Sequence, residues 1–343
     1  MKHARLLTLA LALLVVAVVA AACGGSSSDS ASSTSDSGAA TAPTKVRLVY
    51  FWPSIDFLSV PIVVAQQKGY FEKANLDVSL SLPPDSATAT KVLGTGDADL
   101  GMVTTTDIAA AAQEGVPVQS IGNYTMSNNW GLFAKPGTTV SESTLAGKTI
   151  SGFGDTWTNA MLPFVLKDAG VKDSDVKVVT VTNDTPLLLN GKVDLATNTT
   201  NYLIPAVEDA TGKTPGVLLA TDAGAPNVPI WVYAGNHDWM TKNPDATKAF
   251  MSAIEQATTW AIANPDAAVT LYEKAYPDNG GSHKYNLAGW TDTAKYMQNA
   301  DGELLTETDQ QWVDLGNALV SINQLHDVQT PSTYYTNEYL PAG

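Results

Sequence analysis

Apolar and polar positions alternate through VRLVYF, from Val46 to Phe51, and again through LDVSLSL, from Leu76 to Leu82, which predicts two strands. Between them FLSVPIVVAQQKGYF carries a helical pattern, with Pro61 in its early turn and Gly69 at its end. The unit then recurs. ATATKVLGTG reads as helix until Gly94, ADLGMV as a short buried strand, TTDIAAAAQEG as a helix opened by a Thr cap and closed at Gly115, and PVQSIGNYT as a further strand. Strands separated by helices of this length predict parallel pairing through right-handed crossovers.

After WGLFAKPG the alternation starts afresh, with KTISGFG, WTNAMLPFVLKDAG, VKVVTV, DTPLLLNG, KVDLATN and a helical region from Tyr202 to Ala210. GVLLATDAG and VPIWVYAG read as strands leading back to the first unit. Beyond Asp238 apolar residues fall at three and four spacing, with Pro244 and Pro265 near helix starts, so the C-terminal region is helical. The expected architecture is α/β: two lobes of mostly parallel sheet, crossed more than once by the chain, with a helical C-terminal region. A cleft between such lobes is where a ligand sits.

The first residues change that picture only at the edge. Lys2 and Arg5 precede an apolar run from Leu6 to Ala22, which reads as a signal peptide over residues 1–22. The chain's single cysteine, Cys23, follows three alanines and resembles the lipobox of a bacterial lipoprotein, with a Ser/Gly/Ala/Thr linker completing residues 23–44. On this reading the protein is lipid-anchored at the extracytoplasmic face of the cell membrane. With Cys23 used as the anchor, no thiol remains for a disulfide, a metal or nucleophilic catalysis.

Among the 343 residues, 34 Asp and Glu stand against 19 Lys and Arg, a net charge of −15, which argues against nucleic acid as a partner. Catalytic and metal motifs are absent: the four histidines are scattered, and HExxH, CxxC and GxSxG patterns do not occur. The sequence therefore predicts neither an enzyme, a cofactor nor a metal site.

Aromatic residues at element ends are the clearest lead. Trp52, Tyr124, Trp130, Trp157 and Trp231 fall where strands and helices meet the expected cleft, whereas mid-helix Trp260 and Trp312 fit a core. Beside them lie Asp56, Thr104, Thr105, Asn128, Asn159, Asn198 and Tyr202, whose short polar groups suit ring nitrogens, carbonyls or a phosphate. Helix capping explains the threonines equally well. GFGDTW, Gly152 to Trp157, offers close backbone approach to an anion but lacks the lysine of a nucleotide-binding loop. Asp97 and Asp99 read as a turn and a solvated edge.

WPSIDFLSVPIVVAQQKGYFEKANLDV, GTGDADLGMVTTTDIAAAAQEGVPVQSIG, LAGKTISGFG and LLLNGKVDLA, in that order, resemble the substrate-binding proteins of ABC importers in the NMT1/THI5-like group. The resemblance implies a two-lobed periplasmic-binding fold of the second type, here with residues 45–127 plus 228–343 as one lobe and 128–227 as the other. It further implies a monomer that closes on a small-molecule ligand, by hinges near residues 125 to 131 and 222 to 230, and delivers it to an ABC permease. Within the group LVYFWPSID and LPPDSATATKVLGTGDADLGM look most like carriers of the thiamin pyrimidine precursor, whose pockets stack an aromatic heterocycle. The alternatives are an alkanesulfonate, taurine or similar small anion and, more remotely, a pyrimidine-synthase enzyme of the THI5 type. Where those carriers place a glutamate this chain reads TNTTNYLIPAVED, leaving Asn198, Asn201 and Tyr202 for a neutral ring.

Overall fold

The computed structural model describes residues Ala42–Pro341. The expected signal peptide, the lipidated Cys23 and nearly all of the linker lie outside these residues.

Among the described residues ten strands form two five-stranded sheets. The first contains β1 (Thr44–Val49), β2 (Leu76–Ser81), β3 (Leu100–Thr104), β4 (Val118–Asn123) and β10 (Trp231–Asn236), in the order β2-β1-β3-β10-β4. The second contains β5 (Trp130–Ala134), β6 (Thr149–Gly152), β7 (Lys177–Thr180), β8 (Leu195–Thr199) and β9 (Gly216–Leu219), in the order β7-β6-β8-β5-β9. In each sheet four strands share a direction and one runs against them. The reversed strands are β10, antiparallel to β3 and β4, and β5, antiparallel to β8 and β9.

The central strand of each sheet, β3 and β8, is largely buried. All five residues of β3 are buried, as expected of a strand with helices above and below. A Cβ on Gly101 of β3 would sit 2.7 Å from Val49 Cγ1 and 2.9 Å from the Val49 carbonyl oxygen, so only glycine lets β1 and β3 approach here.

Three sequence expectations change. GVLLATDAG supplies β9, which pairs with β5 in the second sheet and does not return to the first. An apolar run announces a strand, but its partner is decided by the free edge it meets. After Gly69, with φ of +67°, the helix Val60–Gln67 resumes as a single turn, Tyr70–Lys73, before β2 begins. Asp99 is no solvated edge: it is 2 % exposed and accepts from the Arg47 backbone N–H at 2.7 Å and from Arg47 Nε at 3.1 Å. Its cross-strand partner is what the local pattern hides.

The C-terminal helices Pro244–Ala263, Pro265–Ala275, His283–Ala294 and Asp309–Ser321 pack on the first lobe. Phe250 stacks on Phe71, ring centroids 5.4 Å apart. Trp312 is buried as expected, whereas Trp260 is partly buried, with the Lys68 ammonium 4.0 Å from its ring centroid. The helix His283–Ala294 also packs on the second-lobe helix Thr200–Thr211, where Thr200 Oγ1 donates to Asp292 at 2.8 Å and Asn201 Nδ2 to Thr293 at 2.9 Å.

Glu307 pins this region to β4, accepting from Ser120 Oγ at 2.8 Å and Trp312 Nε1 at 2.9 Å. Burial pushes its carboxyl from 4.5 up to about 8. The folded protein therefore holds a proton that the unfolded chain has released, and stability falls as pH rises from about 4.5 to about 8. Glu307→Gln is expected to flatten that slope. Thermal unfolding of both proteins across this range checks it, and parallel pH dependences would contradict it.

Candidate functional site

The strand directions create the site. β1, β3, β6 and β8 end at one common edge, so Trp52, Thr104, Phe153 and Asn198 lie at or just beyond their C-terminal ends. β5 and β10 run the other way and begin at that edge, with Trp130 and Trp231 as their first residues. Together they enclose a cavity of about 510 Å³ between the lobes.

Its walls are aromatic. Phe51, Trp52, Trp231 and Tyr285 come from the first lobe, and Trp130, Phe153, Trp157 and Tyr202 from the second. Across the cleft Trp52 meets Phe153 edge-on, with centroids 5.7 Å apart at 90°; within the first lobe Phe51 lies 5.8 Å from Trp231. Trp130, Trp157 and Trp231 are buried, while Trp52 is partly exposed.

Two buried or partly buried carboxylates join the lobes. Asp107, in the first turn of the helix Thr105–Gln113, accepts from Thr104 Oγ1 at 2.7 Å and from Thr156 Oγ1 of the second lobe at 2.8 Å. Asp56 caps the turn Phe57–Ser59 and accepts from Tyr50 Oη at 2.6 Å, from the Leu58 N–H at 2.9 Å and from the second lobe's Tyr202 Oη. Burial raises both carboxyls above their ordinary value, and the hydroxyl donors oppose that shift.

Of the residues singled out in the sequence, Trp52, Thr104, Trp130, Trp157, Asn198, Tyr202 and Trp231 line the cavity. The other five lie behind or beside it. Asp56 braces Tyr202, Thr105 donates to the Pro229 carbonyl at 2.7 Å, and the fully buried Tyr124 donates to the Leu58 carbonyl at 2.7 Å. Asn128 laces the two crossing segments, donating to the Pro226 carbonyl and accepting from the Trp130 N–H, each at 3.0 Å. Asn159 is exposed, with its amide turned to the Gly154 carbonyl at 3.4 Å.

The first turn after GFGD is already occupied. Asp155 caps the helix Thr156–Asp168 by accepting from the Thr158 N–H at 2.7 Å, and Thr104 caps the helix Thr105–Gln113.

Lining residues that sequence reasoning passed over include Ser86, Phe153, Asp184, Thr199, Asp209 and Tyr285. Phe153 was within reach, inside the quoted GFGDTW. Asp184, ahead of TPLLL, looks like a helix cap, and Tyr285 sits in an ordinary helical pattern far along the chain.

Two mixed sheets with this crossing define a two-lobed periplasmic-binding fold. The NMT1/THI5 like family model matches residues 57–268, and the chain belongs to that family. It is 29 % identical to a putative thiamine biosynthesis protein of Haemophilus influenzae over 80 % of this chain and 86 % of that one. It is 24 % identical to 4-amino-5-hydroxymethyl-2-methylpyrimidine phosphate synthase of Candida albicans, over 86 % and 88 % of the two chains. In fold it is similar to the periplasmic aliphatic sulphonate binding protein SsuA of Escherichia coli, with a TM-score of 0.66 and 14 % identity over 88 % of this chain and 94 % of that one. The nitrate-binding protein NrtA of Synechocystis gives a TM-score of 0.61 at 14 % identity, over 87 % of each chain. Among the described residues no helix is long and apolar enough to cross a membrane.

The Thr156–Asp107 hydrogen bond is one that separation of the two sheets would break. A hydrogen bond of this kind contributes about 0.5–1.5 kcal/mol net, so Thr156→Val is expected to lower the closing equilibrium constant roughly two- to tenfold. Distances between spin labels on the two lobes report it. A distribution unchanged from the wild type would contradict the latch.

Proposed function

We propose that this protein is the extracytoplasmic solute-binding component of an ABC importer, and that it captures a small aromatic heterocycle by closing its lobes on it. The observation that carries the reading is the aromatic wall drawn from both lobes, because a planar ring held between faces from each side favours the closed state. Residues 45–127 plus 228–343 would move against 128–227, with the strand crossings around Asn128 and Pro226 as hinges. The protein would act as a monomer, tethered through Cys23 and docking on a permease.

The lining chemistry favours a neutral or cationic ring over an anion. Asp155, Asp184 and Asp209 line the cavity, and none of its lining residues is Lys, Arg or His. A sulfonate or nitrate, the ligands in the names of the structural neighbours, would meet carboxylates there, and Thr104, Thr105, Thr106 and the Thr158 amide are engaged internally. The synthase reading, suggested by relatives named for making a pyrimidine phosphate, is disfavoured for the same reason. Its product carries a phosphate.

Native mass spectrometry of the full-length protein, extracted gently from cells, tests the reading: a retained pyrimidine or similar ring is expected, and a retained aliphatic sulfonate would overturn it. Trp52→Ala should weaken binding of that ring by about 1–3 kcal/mol, roughly five- to 150-fold, as stacking losses do. Unchanged affinity in a folded variant would remove Trp52 from the pocket. Cys23→Ala should move the protein from the membrane fraction to the soluble fraction, and continued membrane association would reject the anchor.

A further inference from the structure

Three carboxylates line the cavity, and two of them are already engaged. Asp155 caps its helix through the Thr158 N–H, and Asp209, at the rim, accepts from Ser282 Oγ at 2.9 Å with Lys284 Nζ 3.9 Å away. Asp184 differs. It stands at the cap position of the turn Thr185–Leu189, where Asp normally accepts from the helix, yet its backbone is already helical, with φ of −86° and ψ of −38°, and its side chain makes no capping bond.

That side chain is held for something else. Asn198 Nδ2 donates to Asp184 Oδ2 at 2.7 Å and Thr185 Oγ1 to Oδ1 at 3.2 Å, and no ion pair reaches it among the described residues. Besides these side chains only the backbone N–H groups of Thr185 and of Asp184 itself act on the carboxylate, and none of these donors comes from a charged group. Asp184 is only 4 % exposed, and burial pushes its carboxyl above the ordinary value. A buried carboxylate with no cation beside it is costly, and a further donor or a proton lowers that cost.

The same cavity holds the complementary polarity. Trp157 and Thr199 line it, and the indole N–H of Trp157 and the hydroxyl oxygen of Thr199 are buried without a hydrogen-bond partner. Such orphaned groups call for an explanation in a native fold, and a bound molecule supplies one.

Resting on the heterocycle reading above, we propose that Asp184, oriented by Asn198, is the specificity residue of the site and selects rings that carry an N–H donor. The ligand class is an amino-substituted or ring-protonated nitrogen heterocycle: its amino group donates to Asp184 and its acceptor atoms suit the donors of Trp157 and Thr199. An oxo group in place of the amino group would set a carbonyl oxygen against a carboxylate. A site built to hydrogen-bond a substrate group discriminates strongly against an analogue that leaves the site unpaired. Asp184 would thus refuse a ring that the tryptophans alone accept.

The test is a calorimetric titration of full-length wild type and Asp184→Asn with two matched pairs: 4-amino-5-hydroxymethyl-2-methylpyrimidine against its 4-oxo counterpart, and adenine against hypoxanthine. Wild type is expected to prefer the amino member of whichever pair it binds by about tenfold or more, the size of a hydrogen bond to a charged group. Asp184→Asn, whose amide can both accept and donate, should bring the two members within a few-fold of each other. A merely structural role would weaken both members equally and keep their ratio, which would overturn the proposal. So would a wild type indifferent to the amino group, a result that needs no variant to fold and leaves the heterocycle reading standing. Binding of neither pair would defeat both the proposal and that reading.

Discussion

Everything at the cleft depends on one reversed strand in each sheet. A chain that crosses between two parallel α/β layers must enter and leave them, and β5 and β10 do so antiparallel to both of their neighbours. Because the reversed strands start where the others end, Trp130 and Trp231 arrive at the edge already occupied by Trp52, Thr104, Phe153 and Asn198. The topology thus gathers widely separated aromatic residues into one cavity. It also brings the two crossing segments side by side, joined through Asn128.

The polar groups at the cleft do different work according to depth. Asp107 and Asp56 bind hydroxyls of the opposite lobe, Thr156 and Tyr202, in addition to donors from their own. Asp155 and Thr104 close their own helix starts and withdraw those amides from anions. Asp184 alone among the lining carboxylates is held by neighbouring side chains without capping a helix or meeting a cation. The carboxylates that bridge the two sheets, Asp107 and Asp56, are therefore distinct from the one proposed to select the ligand.

Much of this was legible in the sequence. Strand and helix types followed from periodicity through most of the chain, and GFGDTW and the WPSIDF loop both reach the cavity. What the sequence withheld is what depends on partners distant along the chain. The β9 segment shows its apolar pattern but not the edge of β5 that it covers. Asp99 gives no local sign of Arg47, which lies across the sheet. Asp184 has the sequence setting of a cap and the geometry of something else, and Tyr285 reaches the cavity only because its helix packs on the second lobe. The bracing contact of Asp56 was equally hidden: it holds the pocket wall through Tyr202 without lining the pocket.

The central claim is that a planar ring is held between aromatic walls contributed by both lobes. A crystal structure of the protein with the molecule it retains from cells tests this most directly. The account predicts a closed molecule with an aromatic heterocycle among Trp52, Trp130, Trp157 and Trp231, touching both lobes. A non-aromatic ligand in the cleft, or a ring bound to one lobe of an open protein, would contradict it.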